Sequence, residues 1–475
     1  MSVENYDIVI LGGGIGGYTA AIRASQLGKK VALVEKEKLG GTCLHKGCIP
    51  SKSLLRSAEV YSTIKQSEQY GIVTESATLD LSLVQKRKND IVDKLYTGLQ
   101  SLMKKNEIHI FEGSGRIIGP SIFSPKSGAI AVELPDGESV TLVGEYTMIA
   151  TGSTPRTIQG LDIDGETVMT SDEALEMDTL PKSIIIVGGG VIGIEWASML
   201  SDFGVHVTII ESSDRLLIHE DKDISREITR LLKKRGIKVL TNTSIDFSET
   251  IVEKGKQVTL FMTKGEKRTE VQAERMLLSI GRVGNVNHLG LENTDVKIDH
   301  SFITVNEHFQ TTESHIYAIG DCIGGVQLAH AAGHEGIAAV HHMLGEEVHV
   351  VDEPFIPRCT YSHPEVASVG YSEEQAKEQG RKVKVGKFPF QAIGKALVQG
   401  NADGFVKVIA DKETNDLIGV HMIGAHVTDL ISEAALAHVL DAIPWEIGNV
   451  SHPHPTLSEA LGEAMLAVDD SAIGM

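Results

Sequence analysis

Cysteine is scarce in this 475-residue chain: four residues, Cys43, Cys48, Cys322 and Cys359, with none in the last 116 positions. With so few, and with no secretory signal, a close cysteine pair points to catalysis or metal binding rather than to a structural staple. Long apolar runs are missing too. None approaches the roughly 18–20 residues of a membrane helix. The N terminus carries acidic Glu4 and Asp7 and lacks both the basic start of a signal peptide and an Arg-rich transit pattern. A cytoplasmic location is expected. Basic side chains are outnumbered 44 to 64, a formal net charge of −20. Such a surface repels nucleic acid and anionic membranes and suits a positively charged protein partner. Prolines number 13 against 48 glycines, which suggests tight backbone approaches rather than a disordered chain. The length predicts two to four domains, and 41% hydrophobic residues give each a core.

One pattern occurs twice. Asp7–Leu11 reads as a short buried strand, followed by Gly12-Gly13-Gly14-Ile15-Gly16-Gly17, an apolar helix to Leu27, and a second strand, Val31–Val34, closed by Glu35. Ser183–Val187, Gly188-Gly189-Gly190-Val191-Ile192-Gly193 and Val207–Ile210 with Glu211 repeat it. The first glycine and the acid are 23 positions apart in both copies. The chemistry of a dinucleotide site explains the spacing. Gly12 and Gly188 make the turn, Gly14 and Gly190 let backbone approach a pyrophosphate, and Gly17 and Gly193 let helix and strand pack. The helix N terminus faces the phosphates and the acid reaches ribose hydroxyls. Two sites imply two cofactors. Glu211 favours the free 2′-hydroxyl of NAD over the 2′-phosphate of NADP, although Arg215 follows four residues later.

Gly40-Gly41-Thr42-Cys43-Leu44-His45-Lys46-Gly47-Cys48-Ile49-Pro50-Ser51-Lys52 comes directly after the first unit. Pro50 stands where a helix can begin, and the pattern onward to Ile64 is helical. Cys48 then lies at a helix N terminus, with Lys52 one turn on, where a thiolate is stabilised. The spacing leaves several readings open: two core cysteines, a metal site with His45, a structural disulfide, or a redox pair. No second Cys/His pair lies nearby to complete a tetrahedral metal site, so no metal is expected. The position behind a nucleotide loop favours redox use.

At this point the sequence resembles the pyridine nucleotide–disulfide oxidoreductases. The segment Gly40–Lys52 is similar to the redox motif of the lipoyl (dihydrolipoamide) dehydrogenases in particular. Ala150-Thr151-Gly152, Ser279-Ile280-Gly281-Arg282 and Tyr317-Ala318-Ile319-Gly320-Asp321 resemble the family's domain-crossing segments, and His454-Pro455-Thr456 with Glu459 its catalytic dyad. The resemblance implies an α/β fold with two Rossmann-like dinucleotide-binding domains and a C-terminal α+β dimerisation domain. Residues 1–155 and 281–350 would form the FAD domain, 156–280 the NAD domain, and 351–475 the dimerisation domain. FAD would contact Gly12, Gly14, Gly17, Glu35, Lys52, Gly115, Asp321 and Ala329. NAD would contact Gly188, Gly190, Gly193, Glu211 and Gly281, with Glu195 paired to Lys52 near the flavin. Cys43, Cys48, His454 and Glu459 would be catalytic, His454 coming from the partner subunit of a homodimer. His452, two residues earlier, has no role assigned. Taken alone, any of the 19 histidines is more often structural than catalytic; only the resemblance singles out His454.

The activity implied is oxidation of protein-bound dihydrolipoyl groups by NAD, as the shared component of 2-oxoacid dehydrogenase complexes. Partners would then be the lipoyl domain and the subunit-binding domain of an acyltransferase. Leu44-His45-Lys46 and Leu55-Arg56-Ser57-Ala58-Glu59 are similar to chains associated with branched-chain complexes. Two alternatives compete. Another NAD(P)H-dependent flavin disulfide reductase would want basic residues after the second strand, or a cysteine pair near the C terminus or in the NAD domain. A non-catalytic flavin- and NAD-binding redox sensor would have no use for the set Cys43, Cys48, His454 and Glu459.

Overall fold

The apolar run Ile8–Leu11 alternates between two buried surfaces. Ile8 and Ile10 pack with Ala20, Ala24 and Leu33 on one face of a sheet. Val9 and Leu11 pack with Val34, Ile130 and Leu142 on the other. A strand covered on both faces reads as continuous hydrophobicity, and each such fully buried side chain stabilises by about 1.5–3 kcal/mol. The computed structural model describes residues 2–120, 126–348 and 350–474. It divides into two compact units. The first is Met1–Ser53, Lys86–Arg156 and Arg282–Val351; the second is Leu54–Gln85, Thr157–Gly281 and Asp352–Met475.

In the first unit the sheet order is His109–Glu112, Val31–Glu35, Ser2–Leu11, Ser139–Ile149, Ala129–Glu133, Ser114–Ile118, with Ile316–Ala318 also paired to Ser139–Ile149. The strand expected from Asp7 begins instead at Ser2, because Ser2–Tyr6 pair in register with Val140–Gly144. That pairing is invisible to local pattern. Leu11 stands opposite Val34 and Ile149, so the first glycine loop leaves the carboxyl end of a central parallel strand. Helices Ile15–Gln26 and Ala329–Met343 pack so closely that a Cβ on Gly336 would lie 2.7 Å from the Gly16 carbonyl oxygen.

The second unit repeats the parallel arrangement. Ser183–Val187 lies between His206–Ile210 and Arg275–Leu278, with Val187 opposite Ile210 and Leu278. A five-stranded sheet follows in the order Arg358–Thr360, Glu365–Gly370, Leu417–Gly424, Phe405–Asp411, Val383–Pro389, all pairs antiparallel. Its core joins Val406, Val408 and Met422 to Ile431 of helix Val427–Val439 and Leu461 of helix Glu459–Ala467. The architecture is the expected one: a mixed sheet whose central strands run parallel, a second sheet that is parallel throughout, and a C-terminal α+β part.

One buried ion cluster ties the second parallel sheet's helix Lys222–Lys234 to the antiparallel sheet. The Lys407 side chain is 2% exposed and that of Asp221 0%. Lys407 Nζ lies 3.0 Å from both Asp221 carboxylate oxygens, 3.2 Å from Asp223 and 2.8 Å from Glu373. Asp221 also caps the helix by accepting the Asp223 N–H. Burial pushes the Asp221 carboxyl up, but His421, Lys407 and the Asp223 N–H hold it below its ordinary 3.8. Burial opposes the Lys407 charge, and Glu373 and Asp221 lift its pKa above the ordinary 10.5 regardless. Removing one partner leaves buried charge uncompensated. Lys407→Ala is therefore expected to destabilise by about 3–5 kcal/mol in denaturant unfolding. The depressed Asp221 contributes above pH 3.8 and loses its contribution as pH falls through its folded pKa; the raised Lys407 contributes below 10.5 and loses its contribution as pH rises through its own. The difference between the two proteins should accordingly be flat from about pH 5 to about pH 9 and shrink in acid.

Candidate active site

Each glycine loop is shaped by steric need. Gly12 has φ +113°, and a Cβ there would lie 2.3 Å from the Ala150 carbonyl oxygen; Gly188 has φ +110° and the same 2.3 Å conflict with Ser279. A Cβ on Gly17 would sit 1.9 Å from the Gly12 oxygen, and on Gly193 2.1 Å from that of Gly188. Gly14 and Gly190, the residues that open the two helices, face open space. Neither helix has a side-chain cap. A side chain at either position would fill the cradle where backbone N–H groups point, so the loops fit pyrophosphates.

The acids are held identically. Glu35 accepts the Gly13 N–H at 2.7 Å and the Glu37 N–H at 2.8 Å. Glu211 accepts those of Gly189 and Ser213, both at 2.7 Å. Burial pushes the Glu211 carboxyl up, but the Ser213 and Gly189 N–H groups outweigh it and hold it below the usual range. It is an ionised acceptor at neutral pH, suited to hydroxyls and hostile to a phosphate. Arg215 turns its guanidinium to the Ile218 carbonyl at 3.1 Å. Gly281, φ +107°, ends the strand-following loop with open space beside it.

The cysteine segment lies on the first loop. Gly40 N–H donates to the Gly13 carbonyl at 2.8 Å, and a Cβ on Gly41 would meet Gly14 Cα at 2.8 Å. Both Gly40 and Gly41 have positive φ. Glycine is required at both for the segment to reach the cradle. Cys43 sits in the short helix Gly41–His45, and Cys48 is the first residue of helix Cys48–Lys65. The helix starts two residues before Pro50, because proline needs no N–H partner in a first turn. The two cysteines are half-buried. The Cys48 thiol and backbone N–H are neighbours that act on the Cys43 sulfur. The Cys48 sulfur and burial push the Cys43 thiol far above the ordinary cysteine value, while the Lys52 charge pulls it back. The pair thus favours carrying one negative charge rather than two. His45 is engaged elsewhere, its Nε2 2.8 Å from the Leu39 carbonyl and its ring edge-on to Tyr96. Tyr18 was not singled out from sequence; burial and the nearby Cys43 raise its phenol pKa.

The remaining first-unit residues are fixed by neighbours. Asp321 accepts a hydrogen bond from Ser153 Oγ, which Arg282 Nε reaches at 2.7 Å. Ala329 opens helix Ala329–Met343, which also has no side-chain cap. Gly115 has the space of its missing side chain occupied by Leu11, 2.4 Å from a built Cβ, so sheet packing alone demands glycine there. In the second unit Glu195 is 6% exposed and accepts the Tyr361 N–H at 2.9 Å, a partner 166 positions away that no local signal predicts. Lys52 belongs to the first unit and Glu195 to the second. Cys322 is buried, donates to the Ile319 carbonyl, and has its thiol pushed by burial up to about 11, a core cysteine rather than a nucleophile.

His454 is exposed, and Glu459 opens the helix Glu459–Ala467. His454 Nδ1 lies 2.8 Å from Glu459 Oε1, while Glu459 Oε2 accepts the Thr456 N–H at 2.8 Å. A carboxylate only accepts, so Nδ1 carries the hydrogen and the Nε2 lone pair is the basic site. Burial raises the Glu459 carboxyl, but the bonds from His454 and Thr456 prevail and hold it below the usual range. His452 is not a bare loop residue: its Nε2 lies 2.9 Å from Glu433 Oε1. Among the described residues no group of three or more His, Cys, Asp or Glu side chains could hold a metal ion.

The description "pyridine nucleotide-disulphide oxidoreductase" belongs to a family model matching residues 6–336, and that family's dimerisation domain matches 356–465. The chain is 59% identical to a dihydrolipoyl dehydrogenase of Bacillus subtilis (strain 168), covering 98% of this chain and 99% of the relative. A dihydrolipoyl dehydrogenase of Zymomonas mobilis is 40% identical, with 99% of each chain covered. Among solved structures, LpdA of Mycobacterium tuberculosis matches with a TM-score of 0.89 at 25% identity, over 98% of this chain and 99% of that one. The dimerisation-domain match supports a homodimer. Among the described residues no helix is long and apolar enough to cross a membrane. The family's cofactors are FAD and NAD, which the two loops fit. The chain belongs to the pyridine nucleotide-disulphide oxidoreductase family.

Proposed function

We propose that the protein oxidises dihydrolipoyl groups with NAD, as a dihydrolipoamide dehydrogenase acting in the cytoplasm. The observation that carries this reading is the neighbouring pair Cys43 and Cys48, laid by Gly40 and Gly41 against the first glycine loop. In this reading residues 1–155 and 281–350 carry FAD, 156–280 carry NAD, and 351–475 pair the subunits. Gly12, Gly14, Gly17, Glu35, Lys52, Gly115, Asp321 and Ala329 hold FAD. Gly188, Gly190, Gly193, Glu195, Glu211 and Gly281 hold NAD.

The reaction balances as two thiols and NAD giving one disulfide, NADH and a proton. The partner subunit's His454 takes a proton at Nε2 from a substrate thiol, while Glu459 fixes its ring and stabilises the imidazolium. The substrate thiolate attacks the Cys43 sulfur and breaks the Cys43–Cys48 bond, leaving Cys48 as thiolate. That charge is stabilised by the helix N terminus and Lys52. The second substrate thiol then displaces Cys43, and the lipoyl disulfide leaves. Bound FAD supplies the two-electron relay from the cysteine pair to NAD. The half-buried setting of the cysteines limits competing reactions with solvent. The protein substrate is the lipoyl domain of a 2-oxoacid dehydrogenase acyltransferase. The subunit-binding domain of that acyltransferase, if basic, matches the −20 surface.

Steady-state assays decide between substrates: dihydrolipoamide with NAD should turn over, and glutathione disulfide with NADPH should not. The reverse pattern would sink the reading. Glu211 adds a sharper expectation. NAD should be preferred to NADP by about 100-fold or more in kcat/KM, since like charges brought together cost several kcal/mol. Glu211→Ala should erode that preference at least tenfold, by roughly the same reasoning. A native preference for NADP would contradict the assignment.

A further inference from the structure

His454 stands in a demanding position for a base. It is 79% exposed on a loop, and among the described residues its side chain is hydrogen-bonded to Glu459 alone. A base must nevertheless be placed to within a fraction of an ångström, and a misplacement of about 1 Å costs on the order of 100-fold. Something must hold the segment Ser451–Thr456 still. Thr456 contributes at one end, its N–H on Glu459 and its Oγ on the Pro453 carbonyl at 2.7 Å. At the other end stands His452.

The His452 side chain is only 9% exposed. Its Nε2 is 2.9 Å from Glu433 Oε1, on helix Val427–Val439. The other edge of its ring lies on helix Glu459–Ala467, the helix that Glu459 opens. A Cβ on Gly462 would be 2.8 Å from His452 Nδ1 and Cε1. The ring therefore sits between the two helices, bonded to one and in contact with the other. It also lies near enough to Glu459 for its charge to help hold that carboxylate ionised. Two imidazole–carboxylate pairs thus flank Pro453, one half-buried and one presented to solvent.

We propose that His452, anchored by Glu433 and seated on Gly462, is a positioning residue for the His454–Glu459 pair. This rests on the dyad reading of His454 given above. His452 touches no substrate; it fixes where the loop carrying the base begins and the distance of that loop from the Glu459 helix. A histidine that merely filled the core would affect folding alone.

The test uses the FAD-loaded homodimer and measures kcat and KM for dihydrolipoamide oxidation, with flavin content and thermal midpoint alongside. His452→Ala and Glu433→Ala should each lower kcat by about 10- to 100-fold with KM changed less than about threefold. Glu433→Gln keeps an acceptor for the His452 N–H and should recover activity to within about threefold of native. Gly462→Ala pushes the ring without removing it; alanine favours a helix, so stability should hold while kcat falls at least about threefold. If His452→Ala fails to fold, Glu433→Ala and Gly462→Ala carry the test. In a His454→Gln background, adding Glu433→Ala should change the residual rate less than about twofold, because its effect runs through His454. A native kcat for Glu433→Ala, or an equal loss in both backgrounds, overturns the positioning role. Near-native turnover by His454→Gln alone would instead sink the dyad, a different and separately visible failure.

Discussion

Cys48→Ser is expected to yield a folded, yellow, FAD-bound protein whose dihydrolipoamide oxidation is lower by about three orders of magnitude or more, the scale of losing a covalent nucleophile. Folding should survive because Cys48 is half-buried at the first turn of its helix, where serine is well tolerated. Activity should not, because the step that fails is covalent. Substrate oxidation needs a bond between two sulfurs to open and reclose, and a serine oxygen cannot supply one. Cys43→Ser should fail as completely, but for a different reason. It removes the sulfur that the substrate would attack, while Cys48 stays at the N terminus of its helix. Flavin absorbance and NADH production measure the two properties separately. Retention of more than about a tenth of native turnover in either variant would remove the pair from the mechanism.

His454→Gln should lower dihydrolipoamide oxidation by about 10²–10⁴-fold, the usual worth of a placed general base. Glu459 is held ionised below the usual carboxylate range, so it orients His454 rather than taking the substrate proton itself. Glu459→Gln should be milder, because an amide oxygen still accepts the Nδ1 hydrogen but no longer stabilises the imidazolium. Turnover by His454→Gln within about tenfold of native would assign the base elsewhere.

Much of this was legible before the structure, and the reason is steric. Gly12, Gly17, Gly188 and Gly193 each stand where a Cβ would strike backbone within 2.3 Å, so their spacing carries three-dimensional information in a local string. Glu35 and Glu211 follow from the strand that each closes. His454 and Glu459 are readable because the acid opens a helix only five positions later. What could not be read depends on partners distant in the chain. Lys407 appears in sequence as a charge within an apolar strand, and only the fold supplies Asp221, 186 positions away, to account for its burial. The same holds for Glu195 and the Tyr361 N–H, and for the strand that begins at Ser2 because Val140–Gly144 run beside it. His452 was passed over because local pattern shows neither Glu433 nor the gap left by Gly462. Periodicity reports which face is buried; it does not report what lies against that face.

In the proposed reaction Cys43 and Cys48 cycle between disulfide and dithiol while exchanging electrons with bound FAD. The most direct test is anaerobic titration of the oxidised holoprotein with dihydrolipoamide, following flavin absorbance and trapping thiols by alkylation before peptide mapping. Flavin bleaching and alkylation of both Cys43 and Cys48 should appear together, with NAD restoring the colour and removing both sites from the map. Flavin that stays oxidised under excess dihydrolipoamide, or cysteines whose alkylation is the same before and after, would contradict it.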